Sequence, residues 1–380
     1  MSAMISILQL MVQKKASDVF LSPHSTALIK INGLSVPLNN QVLAANTPIN
    51  LLGEIISSAQ MEELKETGEL NTALTIEDLG IFRISAMRQR DTYAVVIRYI
   101  ALKIPAIDSL NLPPILSSLI LEKLGLILMV GPTGSGKSTT LAAMLDHRNQ
   151  LMAGHILTVE DPIEYYFTSK KSVVNQREVG IDTVSLQTAL RNGLRQAPDV
   201  FFIGEIRDRE TMSAALGYAQ TGHLCVATLH ANNSHHALNR ILSFFPVEVR
   251  PSMMGDLATT LKAIISQRLL RTKDGVRVPA TEILLNTKLV ADMIAKADFA
   301  GVKEAVEKSM TEGSQTFEED IARLIHAGVI TREEGLAHAD SPTNLIWRLD
   351  NTGTGGSKPP VLHEPKDEYE APSFTDIKFN

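Results

Sequence analysis

The eight residues Gly131-Pro-Thr-Gly-Ser-Gly-Lys-Ser138 constrain this chain more than any other feature of it. They fill the spacing of a phosphate-binding loop, follow an apolar run at 126–130 and lead into a helical stretch at 139–145, the setting in which that spacing carries meaning. A buried strand, a glycine turn and a helix N-terminus aimed at an anion have to be built together. Gly134 and Gly136 let main-chain N–H groups close around phosphate, and Gly131, Thr133, Ser135 and Thr139 complete the cradle. Lys137 reaches the terminal phosphates, and Ser138 offers its hydroxyl to Mg2+. ATP or GTP is the expected ligand.

The rest of a sheet can be read around that unit. Residues 126–130, 156–159, 200–203 and 224–228 are short apolar runs that end in polar clusters and precede helical stretches. That rhythm predicts a mainly parallel α/β sheet. From Leu257 the spacing of Leu261, Ile264, Ile265, Arg268 and Leu269 predicts helix, with a later strand signal only at 280–285.

Upstream, residues 18–31 alternate loosely up to the turn signal Asn32-Gly33, predicting a hairpin, and 49–58 and 60–66 have helical spacing. Short β-rich runs at 74–76, 81–87 and 93–100 complete a small α+β domain over residues 1–100. Pro105 and Pro113-Pro114 interrupt both helix and central strand. Residues 101–114 are therefore read as a linker, and 115–350 as the domain that carries the phosphate loop. Residues 351–380 read as a flexible tail with an anchoring end at Phe374, Ile377 and Phe379.

Composition excludes several function classes. Among 380 residues, 36 Lys and Arg stand against 42 Asp and Glu, a net charge of −6, with 44% hydrophobic residues. This is neither a globally basic nucleic-acid binder nor an acidic disordered chain. Cys225 is the only cysteine, so no intrachain disulfide or cysteine zinc site forms and the chain reads as cytoplasmic. No run reaches the roughly 18 to 20 apolar residues of a membrane-spanning helix. Residues 1–12 read as an amphipathic helix, and Lys14 and Lys15 follow it instead of preceding it, unlike a secretory signal.

Ligands of open α/β sheets sit beyond the carboxyl ends of the strands. Two acidic clusters fall there, Glu160-Asp161-Pro162-Ile163-Glu164 and Gly204-Glu205-Ile206-Arg207-Asp208. Gly204 replaces the first acid of the pair an ordinary NTPase carries, leaving Glu205 to polarise the attacking water. Metal contact then leans on Ser138 and the earlier carboxylates. Asp208 is read either as a site residue or as a helix cap. Thr221-Gly-His223 precedes the last strand and Thr228-Leu-His230 ends it. Their imidazoles suit the γ-phosphate or the carboxylates better than zinc, for which no cysteine or matched acid completes a set. His235 and His236 read as polar helix surface.

These residues together resemble the type IV pilus retraction ATPases, the PilT/PilU group of the type II/IV secretion ATPase superfamily, over nearly the whole chain. The carriers are 131–139, the Asp box at 158–164, Val174-Asn-Gln-Arg-Glu-Val-Gly180, the atypical Walker B at 199–208 and the His box at 221–230. The resemblance implies a PAS-like N-terminal α+β domain, a RecA-like P-loop ATPase domain with a helical C-terminal part, and a homohexameric ring. It further implies Mg2+-dependent ATP hydrolysis and work on an inner-membrane platform protein of the pilus machinery, with the motor peripheral at that membrane. Glu205 would be the catalytic base and Glu164 the matching Asp-box acid, both meeting Mg2+ directly or through water. His223 and His230 would be the His-box residues, and Arg83 and Arg98 would bring positive charge to the nucleotide. Arg195 and Arg207 are weaker candidates, and Gly204 in place of an acid is a trait of the family.

One departure stands out. Retraction motors carry an Ala-Ile-Arg-Asn-Leu-Ile-Arg-like helix after a Glu-Ile-Leu strand, whereas here Glu282-Ile-Leu-Leu-Asn-Thr is followed by Lys288-Leu-Val-Ala-Asp-Met-Ile-Ala. Both arginines are missing. With the long tail, this points to the PilU branch, expected to assist a primary, PilT-like retraction ATPase. Two alternatives are a hexameric nucleic-acid translocase and a non-hydrolysing nucleotide scaffold. The charge balance and the lack of an aromatic-interleaved basic run oppose the first, so no nucleic acid is expected as partner. Glu205 opposes the second.

Overall fold

The computed structural model describes residues 2–31, 33–76, 79–100, 104–307 and 311–351. Asn32 of the expected turn, residues 101–103 of the linker and the tail from residue 352 onward lie outside the described residues. The chain forms two compact units, divided between Lys103 and Ile104.

In the first unit α1 (Ala3–Gln13), β1 (Asp18–Leu21), β2 (Thr26–Ile31), β3 (Leu34–Val42), α2 (Thr47–Gly53), α3 (Ser58–Thr67), β4 (Glu69–Ile76), β5 (Gly80–Gln89) and β6 (Thr92–Ile100) follow one another. The strands make a wholly antiparallel sheet in the order β3-β2-β1-β6-β5-β4. Successive side chains of a strand face opposite ways, and here one set is apolar. Val19, Ile29, Phe82, Ile84, Val95 and Ile97 share a core with Ile7 and Leu8 of α1, Leu52 of α2 and Leu64 of α3. Asp18, Arg98 and Arg83 belong to the other set. Asp18 stands opposite Arg98, and Arg98 opposite Arg83, so three charges form a row across β1, β6 and β5.

The second unit runs α4 (Ile115–Leu119), β7 (Gly125–Val130), α5 (Lys137–Leu151), β8 (Gly154–Glu160), β9 (Ser172–Glu178), α6 (Leu186–Gly193), β10 (Val200–Ile203), α7 (Arg209–Gln220), β11 (Leu224–Leu229), α8 (Ser234–Ser243), α9 (Arg250–Thr260), β12 (Leu261–Arg271) and β13 (Arg277–Leu285). Five helices follow: α10 (Lys288–Ala295), α11 (Phe299–Glu307), α12 (Phe317–His326), α13 (Arg332–His338) and α14 (Pro342–Asn351). Seven strands lie in the order β13-β12-β7-β11-β10-β8-β9. All are parallel except β13, the antiparallel partner of β12. Every residue of β7, β10 and β11 is buried, which explains their unbroken apolar runs: helices cover both faces. Ile107 and Leu116 are already buried with Ile127 and Leu141, so packing of this unit begins within the stretch read as a linker.

Two elements differ from expectation. Residues 261–271 are the strand β12, not helix. Residues 263–267 are all buried, so this stretch has no solvent-facing side and its apolar residues do not alternate. The helical spacing was a coincidence of a run buried on both sides. The motif at 174–180 overlaps the edge strand β9, residues 172–178, whose half-polar composition gives no strand signal. No helix among the described residues is long and apolar enough to cross a membrane.

Candidate active site

The phosphate loop joins the end of β7 to α5. Gly131, Gly134 and Gly136 all have positive φ, at 154°, 79° and 84°, a region closed to most side chains. Space excludes them at two of the three as well. A Cβ on Gly131 would stand 2.5 Å from the main-chain oxygen of Gln267, and one on Gly136 would stand 2.8 Å from its side-chain nitrogen. The Lys137 ammonium donates to the main-chain oxygens of Gly131 at 2.7 Å and Pro132 at 2.9 Å. Burial lowers its pKa, while the charges of Glu164 and Glu205 work to raise it. Both carboxylates therefore lie within electrostatic reach of the lysine. The Ser135 hydroxyl is buried and has no hydrogen-bond partner among the described residues. Glycines that admit no Cβ, a buried cation and an orphaned hydroxyl fit a phosphate chain. Thr133 and Gly134 are exposed at the tip of the loop, and Ser138 is half-buried at the start of α5.

Parallel register brings the other strand ends to the same edge, with Ile203 beside Val159 and Ala227 and Val130 beside Leu229. Glu205 is held there from two sides. Arg207 Nε donates to Glu205 Oε2 at 2.6 Å, and His230 Nε2 lies 3.2 Å from Glu205 Oε1. Arg207 Nη1 also reaches Asp161 Oδ2 at 3.3 Å, so one arginine ties the acids that follow β8 and β10. Hydrogen bonding to Glu205 is the main cause of the raised Arg207 pKa. Arg207, the weaker candidate by sequence, is a full member of this cluster.

Beneath it, Glu160 closes β8. It accepts hydrogen bonds from the Thr158 hydroxyl at 2.7 Å and Gln176 Nε2 at 3.2 Å. Burial pushes its pKa up to about 7, against these bonds and one from the Glu164 N–H that favour the charged form. The loop carrying exposed Glu164 is fastened by β9. Gln176 donates to the Tyr165 carbonyl at 2.8 Å and accepts from the Phe167 N–H at 2.8 Å, and Glu178 accepts from the Ile163 N–H at 3.0 Å. Tyr165 in turn meets the Thr139 hydroxyl at 2.8 Å. The polar motif at 174–180 thus acts as a clamp on the acidic loop.

Gly204 has a steric basis: a Cβ there would sit 3.1 Å from Glu160 Cα and 3.3 Å from the Val159 oxygen. Any side chain at the end of β10 would press on the end of β8, which would have to shift to admit it.

Other expected residues lie elsewhere. His223 precedes β11 at its amino-terminal end, where its main-chain oxygen accepts from the Gly125 N–H at 3.1 Å and its ring packs edge-on against Tyr218. A strand of six residues spans roughly 20 Å, so His223 does not join the phosphate loop of its own chain. Asp208 caps α7 by accepting from the Thr211 N–H at 2.8 Å, which decides between its two readings. Arg195 is exposed in a short 3-10 turn after α6. His235 lies on α8 against the Phe299 carbonyl. In the first unit, Arg98 Nε donates to the buried Asp18 at 2.8 Å, and Arg83 stands next in the row.

Sequence reasoning missed Gln267, Tyr165 and the clamping role of Gln176, and named Glu160 among the strand-end acids without its burial. Gln267 becomes visible only once β12 is recognised as a strand. The others sit in or beside motifs whose residue types were noted without their contacts.

The chain matches the family described as "Type II/IV secretion system protein" over residues 2–332. It is 44% identical over 340 residues to the Type IV pilus ATPase PilU of Pseudomonas aeruginosa, covering 89% of each chain. It is 35% identical over 339 residues to PilT of the same organism, covering 89% of this chain and 98% of that one. The crystal structure of the pilus retraction motor PilT with bound ADP superimposes with a TM-score of 0.81 at 36% identity, over 90% of this chain and 98% of that one. Its fold is therefore that of a solved nucleotide-bound motor, and the chain belongs to the type II/IV secretion ATPase family, within its PilT/PilU group.

Proposed function

We infer that this protein is an ATP-hydrolysing motor of the type IV pilus machinery, of PilU type, which assists pilus retraction beside a primary, PilT-like ATPase. The supporting observation is the meeting of Lys137, Glu205 and His230 at one sheet edge, in a chain whose relatives are pilus ATPases. Lys137 exchanges the carbonyls of Gly131 and Pro132 for phosphate oxygens. Mg2+ supplies charge neutralisation at the β- and γ-phosphates when bound. Ser138 would hold it, and Glu164 and Glu205 would meet it directly or through water. Glu205 draws the proton from the attacking water, and His230 and Arg207 keep its carboxylate aimed. Arg83 and Arg98 carry transition-state charge in the assembled homohexamer, and His223 belongs to its His box. The same reading assigns residues 1–100, 101–114, 115–350 and 351–380 to N-terminal domain, linker, motor domain and tail. The motor works from the cytoplasmic side on an inner-membrane platform protein.

Steady-state ATPase measurements with and without single-stranded DNA, joined to retraction assays in cells that keep their primary motor, test this. Lys137→Ala is expected to lose nucleotide affinity, and light scattering with ATP to give a particle six times 41.5 kDa. Stimulation by DNA, or full retraction in cells lacking the protein, would overturn the reading.

A further inference from the structure

Gln267 is buried in the middle of β12, 1% exposed, and its side chain spans the phosphate loop and the helix behind it. Its Nε2 donates to the Ser135 carbonyl at 2.8 Å, and its Oε1 accepts from the Thr140 hydroxyl at 2.8 Å. Thr140, one turn into α5, is itself 2% exposed. Both ends of the amide are engaged in water-poor surroundings, where an unmet partner is costly. The same residue touches the loop at both ends, its main-chain oxygen against Gly131 and its Nε2 against Gly136.

The contact with Ser135 has a directional consequence. A peptide is planar and trans, so its C=O and N–H point opposite ways. Drawing the Ser135 carbonyl toward β12 turns the Gly136 N–H away from β12, to the side on which a phosphate loop presents its donors. The Ser135 carbonyl fixes which end of the amide faces the loop, because a flipped amide would set oxygen against oxygen there, and the Thr140 hydroxyl satisfies the other end. We propose that Gln267 is a positioning residue of the phosphate loop, holding the Ser135–Gly136 peptide so that the Gly136 N–H faces the nucleotide phosphates. This rests on the nucleotide reading of the loop. Alternation along β12 adds selectivity: Ser266 and Arg268 point the other way, to Glu282 and to Asp340, so Gln267 alone of the three serves the loop.

The test uses full-length protein, fluorescent ADP as probe, and the variants Gln267→Met and Thr140→Val. Gln267→Met is expected to weaken ADP binding and raise the KM for ATP about tenfold, with kcat changed less than threefold. Thr140→Val, which keeps the donor to Ser135 but leaves the buried Oε1 without its partner and so loosens the amide, is expected to weaken ADP binding about threefold. If Gln267→Met does not fold, Thr140→Val decides. Wild-type ADP affinity in folded variants, with only a lowered Tm, would overturn the positioning role. Wild-type protein that binds no ADP would overturn the nucleotide site itself, a distinguishable failure.

Discussion

Two of the clusters that pair arginine with acid are built on different principles. Asp18, Arg98 and Arg83 form a row fixed by the register of three antiparallel strands, with Asp18 buried and Arg98 66% exposed. Asp161, Arg207, Glu205 and His230 meet at the carboxyl edge of a parallel sheet, on loops that leave three different strands. In the first the buried partner is the acid, so removing the arginine strands a charge. In the second the acid is less deeply buried, with Glu205 19% exposed, and His230 remains beside it when the arginine is removed. Similar contacts therefore differ in what the acid keeps when its arginine is lost: Asp18 keeps a neighbouring hydroxyl, Glu205 an imidazole from another strand.

The largest effect is expected from Glu205→Gln, which keeps the shape of the second cluster and removes its base. ATP affinity should persist while kcat falls about 100-fold or more, measured in steady-state and binding assays. Unchanged turnover would move the base to Glu164.

Arg98→Ala and Arg207→Ala sharpen the contrast directly. Arg98→Ala is expected to lower stability by about 1 kcal/mol, because Asp18 then keeps only the Ser17 hydroxyl among the described residues, and to lower turnover through the role proposed for Arg98. Arg207→Ala should change stability by less than about 0.5 kcal/mol and lower kcat about tenfold. Denaturant melts beside turnover numbers read both, and a destabilised Arg207→Ala would erase the distinction.

Beneath the second cluster, Glu160 makes stability depend on pH. Its carboxyl titrates near 7 in the folded chain against 4.5 ordinarily. Between those values the folded protein keeps a proton that the unfolded chain has released, so stability falls as pH rises through the window. The slope is about 1.4 kcal/mol per pH unit. Below the window both states are protonated, and above it both are ionised. Glu160→Gln should flatten this dependence in melts of nucleotide-free protein, and an unaltered slope would place the titration elsewhere. The smallest effect is expected from Gly204→Ala, about 1 kcal/mol of crowding against Glu160.

Much of this was legible from residues alone. The phosphate loop, four parallel strands and both acidic clusters could be read because buried strands are apolar runs and their carboxyl ends are polar. β12 was misread because both of its faces are buried, and Gln267 was lost with it. β9 was unread because an edge strand that clamps a loop needs Gln176 and Glu178 more than apolar residues. His223 and His230 look equivalent as flanks of one strand, yet the direction of β11 sends only His230 to the nucleotide edge. The row at Asp18 depends on strand register, which local spacing did not reveal.

The tight end of β10 also governs which mutational paths are open. A change from Gly204 to aspartate adds a carboxylate where even a methyl group would sit 3.1 Å from Glu160 Cα. Any side chain at this position asks the backbone around residue 160 to give by a few tenths of an ångström, so a path toward a paired-acid site begins with a modest cost at Gly204 that a shift near Glu160 would relieve.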